Sequence, residues 1–307
     1  MTICEQITEL FPIRKTAAQK KAFRQWVMGE ISRMGYRARV EENDNGRQQN
    51  IVVGDPEHAE VTFTAHYDTP STILLPDLQI PRNFPVYLLW QLLIIGGMLT
   101  ISFLLGFGLG LLTGNGDVMI LTFFGAFLVL MWLQIGGFAN KNNVNDNTSG
   151  VAALLETMQR IPEEERAKAA FILFDNMEKG RRGSKAWARD HLEVQHTRFV
   201  VNADSVGVGD VFLGFVPALA RQMPQYVLLE QAMGTITGKT CRFHSSVTTR
   251  GSSDFRSFKC GVGITAYREV TGIGLYLGDL HTARDTEADQ TNIQALAEAF
   301  SSLVGQL

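Results

Sequence analysis

The chain has 307 residues, a formal net charge of −3, 45% hydrophobic residues and 19% charged residues. Lys and Arg are neither in excess nor clustered, so the composition excludes an extended nucleic-acid-binding surface and predicts no nucleic-acid partner. The three cysteines, Cys4, Cys241 and Cys260, form no CxxC pair and no even-numbered set. This favours free thiols in a reducing compartment over disulfides.

The first 85 residues alternate between helix-like and strand-like patterns. Residues 16–34 carry apolar side chains at the spacing of one helix face, which predicts an amphipathic helix. Strand-like runs follow at 37–40, 50–53 and 61–65. The N-terminus has no positively charged start followed by an apolar core, so we expect no signal peptide.

Two long apolar segments occupy the middle of the chain. Residues 86–112 and 118–138 contain 27 and 21 residues without a charge, and only residues 113–117 separate them. Because roughly 20 apolar residues in a helix span a bilayer core, we predict an antiparallel transmembrane hairpin over 86–138. One alternative is a pair of buried core helices, which rarely lack charges over such lengths. The other is a hairpin lying in the membrane interface, which needs a charged face that this segment lacks.

The charges beside the two spans predict their orientation. Arg82 precedes the first span and Lys141 follows the second, whereas the connecting loop carries only Asp117. Since positive flanks favour the cytoplasmic side, we expect a membrane protein with two spans whose remaining chain lies in the cytoplasm. The lipid bilayer is then a partner, and small residues of the first span suggest homo-oligomerisation by close helix packing: Gly106, Gly108 and Gly110.

Helix and strand patterns alternate again after the apolar segments. The run 169–174 is continuously apolar, which is typical of a strand buried on both faces. Further strands are predicted at 198–201, 211–215 and 262–266, and helices at 148–160, 183–191, 224–235 and 293–304. The alternation predicts an α/β fold with a mixed, mainly parallel sheet flanked by helices. We expect one domain formed by residues 1–85 and 139–307 and split in sequence by the transmembrane hairpin of residues 86–138.

Residues that commonly bind metals stand at five strand ends and helix starts, where ligands of such sheets collect. These positions are His66 with Asp68, Asp146, Glu178, Asp204, and His281 with Asp285. Each position alone has an ordinary explanation, since Asp146 could cap a helix and Asp68 could form a turn. The functional indication comes from all of these residues together and from their order along the chain.

The ordered set resembles the co-catalytic zinc aminopeptidases of the aminopeptidase S and Y type, a family that includes glutaminyl cyclase relatives. The matching motifs cover nearly all the chain except the hairpin: His66-Tyr67-Asp68, Asp146-Asn147-Thr148-Ser149-Gly150, Glu178 with Gly180 and Gly183-Ser184, Asn202-Ala203-Asp204, Ser253-Asp254-Phe255, and His281-Thr282 with Asp285-Thr286. The resemblance implies a peptidase-like protein that binds two zinc ions, or other divalent metals, and acts on peptide N-termini.

The resemblance also assigns roles to individual residues. It implies that Asp146 bridges two metals, that His66 and Asp204 complete one site, and that Glu178 and His281 complete the other. Nitrogen and oxygen ligands with a bridging carboxylate suit zinc. Asp68 is expected to accept a hydrogen bond from the second ring nitrogen of His66 and so to orient the ring.

Met177 departs from the family pattern. The family normally has two consecutive glutamates here, the first serving as the general base and the second as the metal ligand, and aligning on Gly180 leaves Met177 at the position of the base. A thioether cannot accept and deliver a proton, and general-base catalysis contributes about 10²- to 10⁴-fold. Asp175 is a candidate substitute base because it lies near Met177 in the chain, and Glu269 is a weaker candidate.

Three functional hypotheses follow. The chain is a membrane-anchored metallopeptidase acting on peptide N-termini with another base, or a pseudoenzyme that binds metal and peptides without cutting them. The third hypothesis is a membrane scaffold for a protein partner. Retention of all five ligand positions favours the two metal-dependent hypotheses, and the first of these is preferred.

Overall fold

The computed structural model describes residues 1–249 and 251–307. The nine helices of these residues are α1 (Ile3–Leu10), α2 (Ala17–Arg33), α3 (Phe84–Thr113), α4 (Gly116–Ile135), α5 (Gly150–Arg160), α6 (Arg182–Asp190), α7 (Leu192–Thr197), α8 (Pro224–Gly234) and α9 (Gln290–Gln306). The strands are β1 (Ala38–Asn43), β2 (Gln48–Val53), β3 (Val61–His66), β4 (Ala169–Phe174), β5 (Val200–Ala203), β6 (Val211–Val216), β7 (Thr240–Ser245), β8 (Gly261–Val270) and β9 (Gly274–Tyr276).

The strands form one mixed sheet with a parallel centre. Its order is β1-β2-β4-β3-β5-β8-β6-β7, and β9 pairs with β8. The central pairs β4–β3, β3–β5 and β5–β8 are parallel, whereas β1–β2, β2–β4 and β6–β8 are antiparallel. The predicted mixed sheet with a mainly parallel core is therefore confirmed.

Both faces of the sheet are buried, as the side chains of β4 illustrate. Phe171 and Leu173 join the core under α2, α5, α8 and α9, whereas Ile172 and Phe174 join a second core with Trp187 of α6. This alternation follows from the two-residue period of a strand. A strand buried on both sides reads as a continuous apolar run, which is why β4 was predictable from its sequence.

Several elements differ from the sequence-based expectation. The strand predicted at 198–201 occupies Val200–Ala203, and α5 begins at Gly150 after an irregular turn over Val144–Ser149 in which Asp146 and Asn147 have non-helical backbone angles. The strands β7 and β9 and the helices α1 and α7 had no predicted counterpart. The strand β7 has only two apolar residues, Cys241 and Phe243, and lies partly exposed at the sheet edge, and β9 has only three residues, so the apolar pattern of each is too short to indicate a strand.

The helices α3 and α4 form an apolar hairpin that follows β3 in the chain and precedes α5. Both are long and apolar enough to cross a membrane. In an apolar stretch of 18 residues in each helix, 22% of the α3 stretch is buried and none of the α4 stretch is. A core helix of a soluble protein would be mostly buried. The buried residues of α3 follow a four-residue spacing: Ile94, Met98, Ser102 and Gly106.

Two glycines of α3 are used in packing within the hairpin. A Cβ atom at Gly106 would lie 2.6 Å from the Met119 carbonyl oxygen of α4, and one at Gly110 would lie 2.7 Å from the Met119 Cβ. A Cβ at Gly108 would meet no atom within 4 Å. Small residues at 106 and 110 therefore permit close contact between α3 and α4, and homo-oligomerisation through the spans stays a prediction.

Candidate metal centre

The five predicted ligand residues converge at the carboxyl ends of β3, β4 and β5. Two groups with nitrogen and oxygen atoms within 4.8 Å of one another are present, and they share Asp146. The first group is His66, Asp146 and Asp204, and the second is Asp146, Glu178 and His281. His66 ends β3, Glu178 lies in the turn after β4 and Asp204 follows β5, so neighbouring parallel strands bring them together.

The two carboxylate oxygens of Asp146 face different groups. Its Oδ1 lies 3.3 Å from Nε2 of His66, while its Oδ2 lies 2.8 Å from Nε2 of His281. Nε2 of His66 is 3.7 Å from Oδ1 of Asp204, and Nε2 of His281 is 3.6 Å from Oε2 of Glu178. Asp146 can therefore contribute one oxygen to each of two cation sites.

Two atoms of this cluster are buried without a hydrogen-bond partner among the described residues. They are Nε2 of His66 and Oε1 of Glu178. Leaving a buried polar group unpaired costs about 1–3 kcal/mol, and a divalent cation accepts electron pairs from both atom types. Carboxylate oxygens and imidazole nitrogens are zinc ligands, so the residues present fit the metals that the resemblance implies.

The protonation of the cluster reflects its burial and crowding. Burial, followed by the negative charge of Asp146, raises the pKa of Glu178 to about 8. Burial opposes the charged form of His281, yet Glu178 and Asp146 outweigh it and raise the pKa of that imidazole to about 10. Similarly, burial works against the ionised form of Asp146, but the neighbouring imidazoles of His281 and His66 outweigh it and lower its pKa. Cation binding must therefore displace protons from the histidines.

The Asp68 carboxylate has a different main role from the predicted one. Nδ1 of His66 lies 3.2 Å from the Asp68 carbonyl oxygen and 3.5 Å from its carboxylate. The carboxylate instead accepts hydrogen bonds from the backbone N–H groups of Met177, at 2.9 Å, and Glu178, at 3.2 Å. The carbonyl oxygen of Asp68 is thus the nearer partner of the His66 ring, with the predicted carboxylate 3.5 Å away, and the Asp68 side chain also holds the turn that carries Glu178.

Asp285 holds the backbone on which Asp146 stands, a role that sequence reasoning missed. Its Oδ1 accepts from the N–H of Asn145 at 2.7 Å, and its Oδ2 accepts from the N–H of Asp146 at 3.0 Å. Burial raises the pKa of Asp285 to about 7. The motif around His281 included Asp285, but no spacing rule indicates which backbone groups it contacts.

Arg14 is a second residue that sequence reasoning missed. Its side chain is fully buried and donates hydrogen bonds to the carbonyl oxygens of Tyr67 and Phe11 and to Oγ1 of Thr148. Burial lowers the pKa of this guanidinium to about 10, and the charges of Asp68 and Asp146 oppose that shift. Arg14 thus ties the end of β3 to the turn before α5 and offsets negative charge behind the candidate ligands.

The two carboxylates considered as substitute bases are engaged elsewhere. Asp175 is buried, forms a 2.6 Å ion pair with Lys20 and accepts from the N–H of Gln49 at 3.3 Å. Glu269 forms two 2.7 Å hydrogen bonds with the guanidinium of Arg242. These contacts argue against either residue as the base.

Two cavities adjoin the cluster and share Glu178 and His281. The first, here called the inner cavity, measures about 120 Å³ and is lined by Asp146, Met177, Asp204, Phe215 and Tyr267 in addition to the shared residues. The second, here called the hairpin-side cavity, measures about 280 Å³ and is lined by Lys15, Ile73, Ile135, Gly136 and Lys179 in addition to the shared residues. Among the described lining residues, the inner cavity contains no carboxylate beyond the three candidate ligands.

Comparison with known proteins gives a family and a fold. The sequence profile of peptidase family M28 matches residues 135–304, which include four of the five candidate ligands. No curated protein matches the chain. Glutaminyl cyclase of Porphyromonas gingivalis has a similar structure, with a TM-score of 0.60 and 15% identity, covering 99% of this chain and 96% of that one.

Two aminopeptidase structures are similar to a comparable degree. The LapA aminopeptidase of Legionella pneumophila has a TM-score of 0.59 and 10% identity, covering 98% of this chain and 69% of that one. A leucine aminopeptidase precursor of Bacteroides thetaiotaomicron has a TM-score of 0.56 and 15% identity, covering 99% and 94%. At these identities the likeness concerns the fold.

Proposed function

The chain belongs to peptidase family M28, and we propose that it is a membrane-anchored, zinc-dependent peptidase of the aminopeptidase type. The observation that carries the proposal is the shared position of Asp146 between two groups of candidate ligands. The unpaired buried atoms of His66 and Glu178 support it further, because a cation would satisfy both.

The chemistry of the proposed site depends on a few residues of this chain. His66, Asp146, Glu178, Asp204 and His281 would hold two zinc ions, which supply Lewis acidity that polarises a peptide carbonyl and lowers the pKa of an attacking water. The other contributions come from residues that hold these ligands in place. The Asp68 carboxylate fixes the turn of Glu178, and the Asp285 carboxylate fixes the backbone of Asp146.

Recognition of a peptide N-terminus is supported by the size of the inner cavity. Its volume of about 120 Å³ suits one amino-acid residue rather than a chain that continues in both directions. We therefore infer that the N-terminal residue of a peptide occupies the inner cavity.

A second candidate function is binding of peptide N-termini with little or no cleavage. Met177 lines the inner cavity, where a general base would be needed, and the contacts of Asp175 with Lys20 leave it no free carboxylate for that role. A site that keeps its candidate ligands but lacks a base would bind metal and peptide while reacting slowly.

Membrane anchoring is supported by the exposure of α3 and α4, whose apolar side chains would otherwise face water. Leu112, Leu121 and Leu128 are 84%, 73% and 67% exposed. Contiguous apolar surface of this extent marks a membrane or protein contact. We propose that the hairpin spans the bilayer and that the peptidase-like part lies on the cytoplasmic side, in line with the flanking charges Arg82 and Lys141.

The proposal is tested by peptide hydrolysis with the full chain purified in detergent. We expect zinc-dependent release of the first residue from peptides with a free N-terminus, no release from the N-acetylated peptides, and loss of activity in Asp146→Ala. Peptide binding without release would favour the second candidate function. Neither binding nor release, with zinc present, would contradict both.

A further inference from the structure

The hairpin-side cavity touches the candidate metal centre and the end of the apolar hairpin at the same time. Glu178 and His281 line it, and so do Ile135 and Gly136, at the end of α4. The same two candidate ligands also line the inner cavity. The two cavities therefore adjoin at Glu178 and His281, so a peptide whose first residue fills the inner cavity would bring its second residue near the hairpin-side cavity.

The position of the hairpin end is coupled to the candidate ligand His281 through the backbone. The N–H of Thr72 donates to the Phe138 carbonyl oxygen at 2.7 Å, and the next N–H along the chain, that of Ile73, donates to the His281 carbonyl oxygen at 2.9 Å. The Gln134 side chain also exchanges two hydrogen bonds with the backbone of Leu75. These contacts fix the end of α4 as one wall of the cavity rather than as a loose neighbour.

The walls of the hairpin-side cavity combine apolar surface with positive charge. Ile73 is buried against the cavity and Ile135 is 72% exposed, so both offer apolar contact to a bound side chain. Lys15 and Lys179 add two ammonium groups, and Nζ of Lys15 donates to Oγ of Ser71. The carboxylates here belong to Asp68 and Glu178. The first accepts two backbone hydrogen bonds and the second is a candidate ligand, so neither is free to pair with a basic side chain.

We propose that the hairpin-side cavity is the subsite for the second residue of the bound peptide, and that it selects an apolar residue over a basic one. The proposal rests on the proposed function, because that function sets the first residue in the inner cavity. It adds that the inserted hairpin is part of the substrate site as well as a membrane anchor. A basic second residue would meet Lys15 and Lys179, whereas an apolar one would bury its surface on Ile73 and Ile135.

Binding of two matched peptides tests this subsite without requiring turnover. The peptides differ only in their second residue, Leu or Lys, and carry a fluorophore at the C-terminus. Their affinities for the zinc-loaded full chain in lipid nanodiscs are measured by fluorescence anisotropy. We expect the Leu peptide to bind on the order of tenfold tighter, a typical discrimination for an apolar pocket.

The variant Ile135→Glu should reduce that preference to about twofold or less, because it removes apolar surface from the wall and adds a carboxylate that a basic side chain can pair with. The matched control is Val247→Glu, since Val247 is 86% exposed and is absent from the described lining of both cavities; it should keep the preference. Equal affinity for the two peptides, or a preference unaltered by Ile135→Glu, would overturn the proposal.

An N-acetylated form of the Leu peptide separates this proposal from the proposed function. Loss of binding on acetylation supports recognition of the N-terminus, and unchanged binding contradicts that recognition. The difference in affinity between the Leu and Lys peptides tests the subsite whether or not acetylation abolishes binding. If no peptide binds to protein that contains zinc, both the subsite and the proposed function are wrong.

Discussion

Met177 is the residue on which the catalytic power of the proposed site depends. It lines the inner cavity beside Glu178, and its thioether accepts no proton at neutral pH. We predict that Met177→Glu raises the rate of N-terminal hydrolysis by at least about 10²-fold, the lower end of the usual contribution of a general base. The measurement is kcat/KM for a peptide with a free N-terminus.

The variant Met177→Gln is the matched control, because it has the length of glutamate but cannot act as a base. Its rate should stay near that of the native protein. An equal gain in both variants would show that cavity shape limits the rate, and no gain in either would mean that another group already serves as the base.

The buried cluster also predicts how stability depends on pH after metal removal. The pKa of Glu178 is about 8 in the folded protein, against 4.5 in a free side chain. The folded state therefore binds this proton more tightly than the unfolded state does, and the stability gained in this way is lost as the pH rises from about 4.5 to about 8. His281 has a raised pKa of about 10, so its stabilising charge is complete below about pH 6.5 and is lost as the pH approaches 10. Both pKa shifts therefore make the metal-free folded protein less stable as the pH rises.

We therefore predict that the metal-free protein melts at a lower temperature at pH 9 than at pH 5.5, by about 5 °C or more if roughly 2 kcal/mol is lost. Thermal unfolding in the presence of a chelator gives the measurement. Excess zinc should weaken or reverse this fall in melting temperature with rising pH, because zinc ligands bind as deprotonated groups. A melting temperature that rises with pH in the chelated protein would contradict the assignment.

At the scale of elements, the contact between α3 and α4 depends on Gly106. A side chain there would collide with the backbone of Met119 and with Phe123, whereas one at Gly108 would enter open space. We predict that Gly106→Leu destabilises the hairpin by about 1–3 kcal/mol, as overpacking typically does, and that the control Gly108→Leu has little effect. Thermal unfolding in detergent, followed by tryptophan fluorescence, measures both variants. Equal melting temperatures for the two would argue against this packing.

The elements that sequence reasoning predicted share a strong local pattern. The buried run of β4 and the amphipathic spacing of α2 depend on neighbours along the chain, and the candidate ligands follow strand ends that those patterns locate. The roles of Arg14 and Asp285 could not be predicted in this way. Each depends on backbone N–H or carbonyl groups far away in sequence, such as the contact between Asp285 and the N–H of Asp146, and such pairings form only when the sheet assembles.

Asp68, whose place in the site was predicted, shows the same limit of prediction from local sequence. Its proximity to His66 follows from a two-residue spacing, and so does its predicted contact with that ring. The orientation of its carboxylate toward the turn of Glu178 depends instead on how β3 lies beside β4, with His66 opposite Phe174 in the parallel register. Residue choice was thus predictable from local spacing, whereas the direction of the side chain was not.

At the scale of the whole molecule, the proposed topology puts the loop between α3 and α4 outside the cytoplasm. We predict that a membrane-impermeant maleimide applied to intact cells labels Asn115→Cys. It should label His58→Cys only after permeabilisation, since the His58 side chain is 80% exposed but lies in the proposed cytoplasmic part. The reverse labelling pattern would contradict the orientation. Labelling of both positions in intact cells would contradict a spanning hairpin.

The central claim is that His66, Asp146, Glu178, Asp204 and His281 form a two-metal site on a membrane-anchored M28 peptidase fold. The most direct test is the metal content of the full chain, purified in detergent, equilibrated with zinc and freed of excess metal. We predict two zinc ions per chain in the native protein and none or one in Asp146→Ala, since that change removes the ligand shared by both groups. Less than one ion per chain in the native protein would contradict the account.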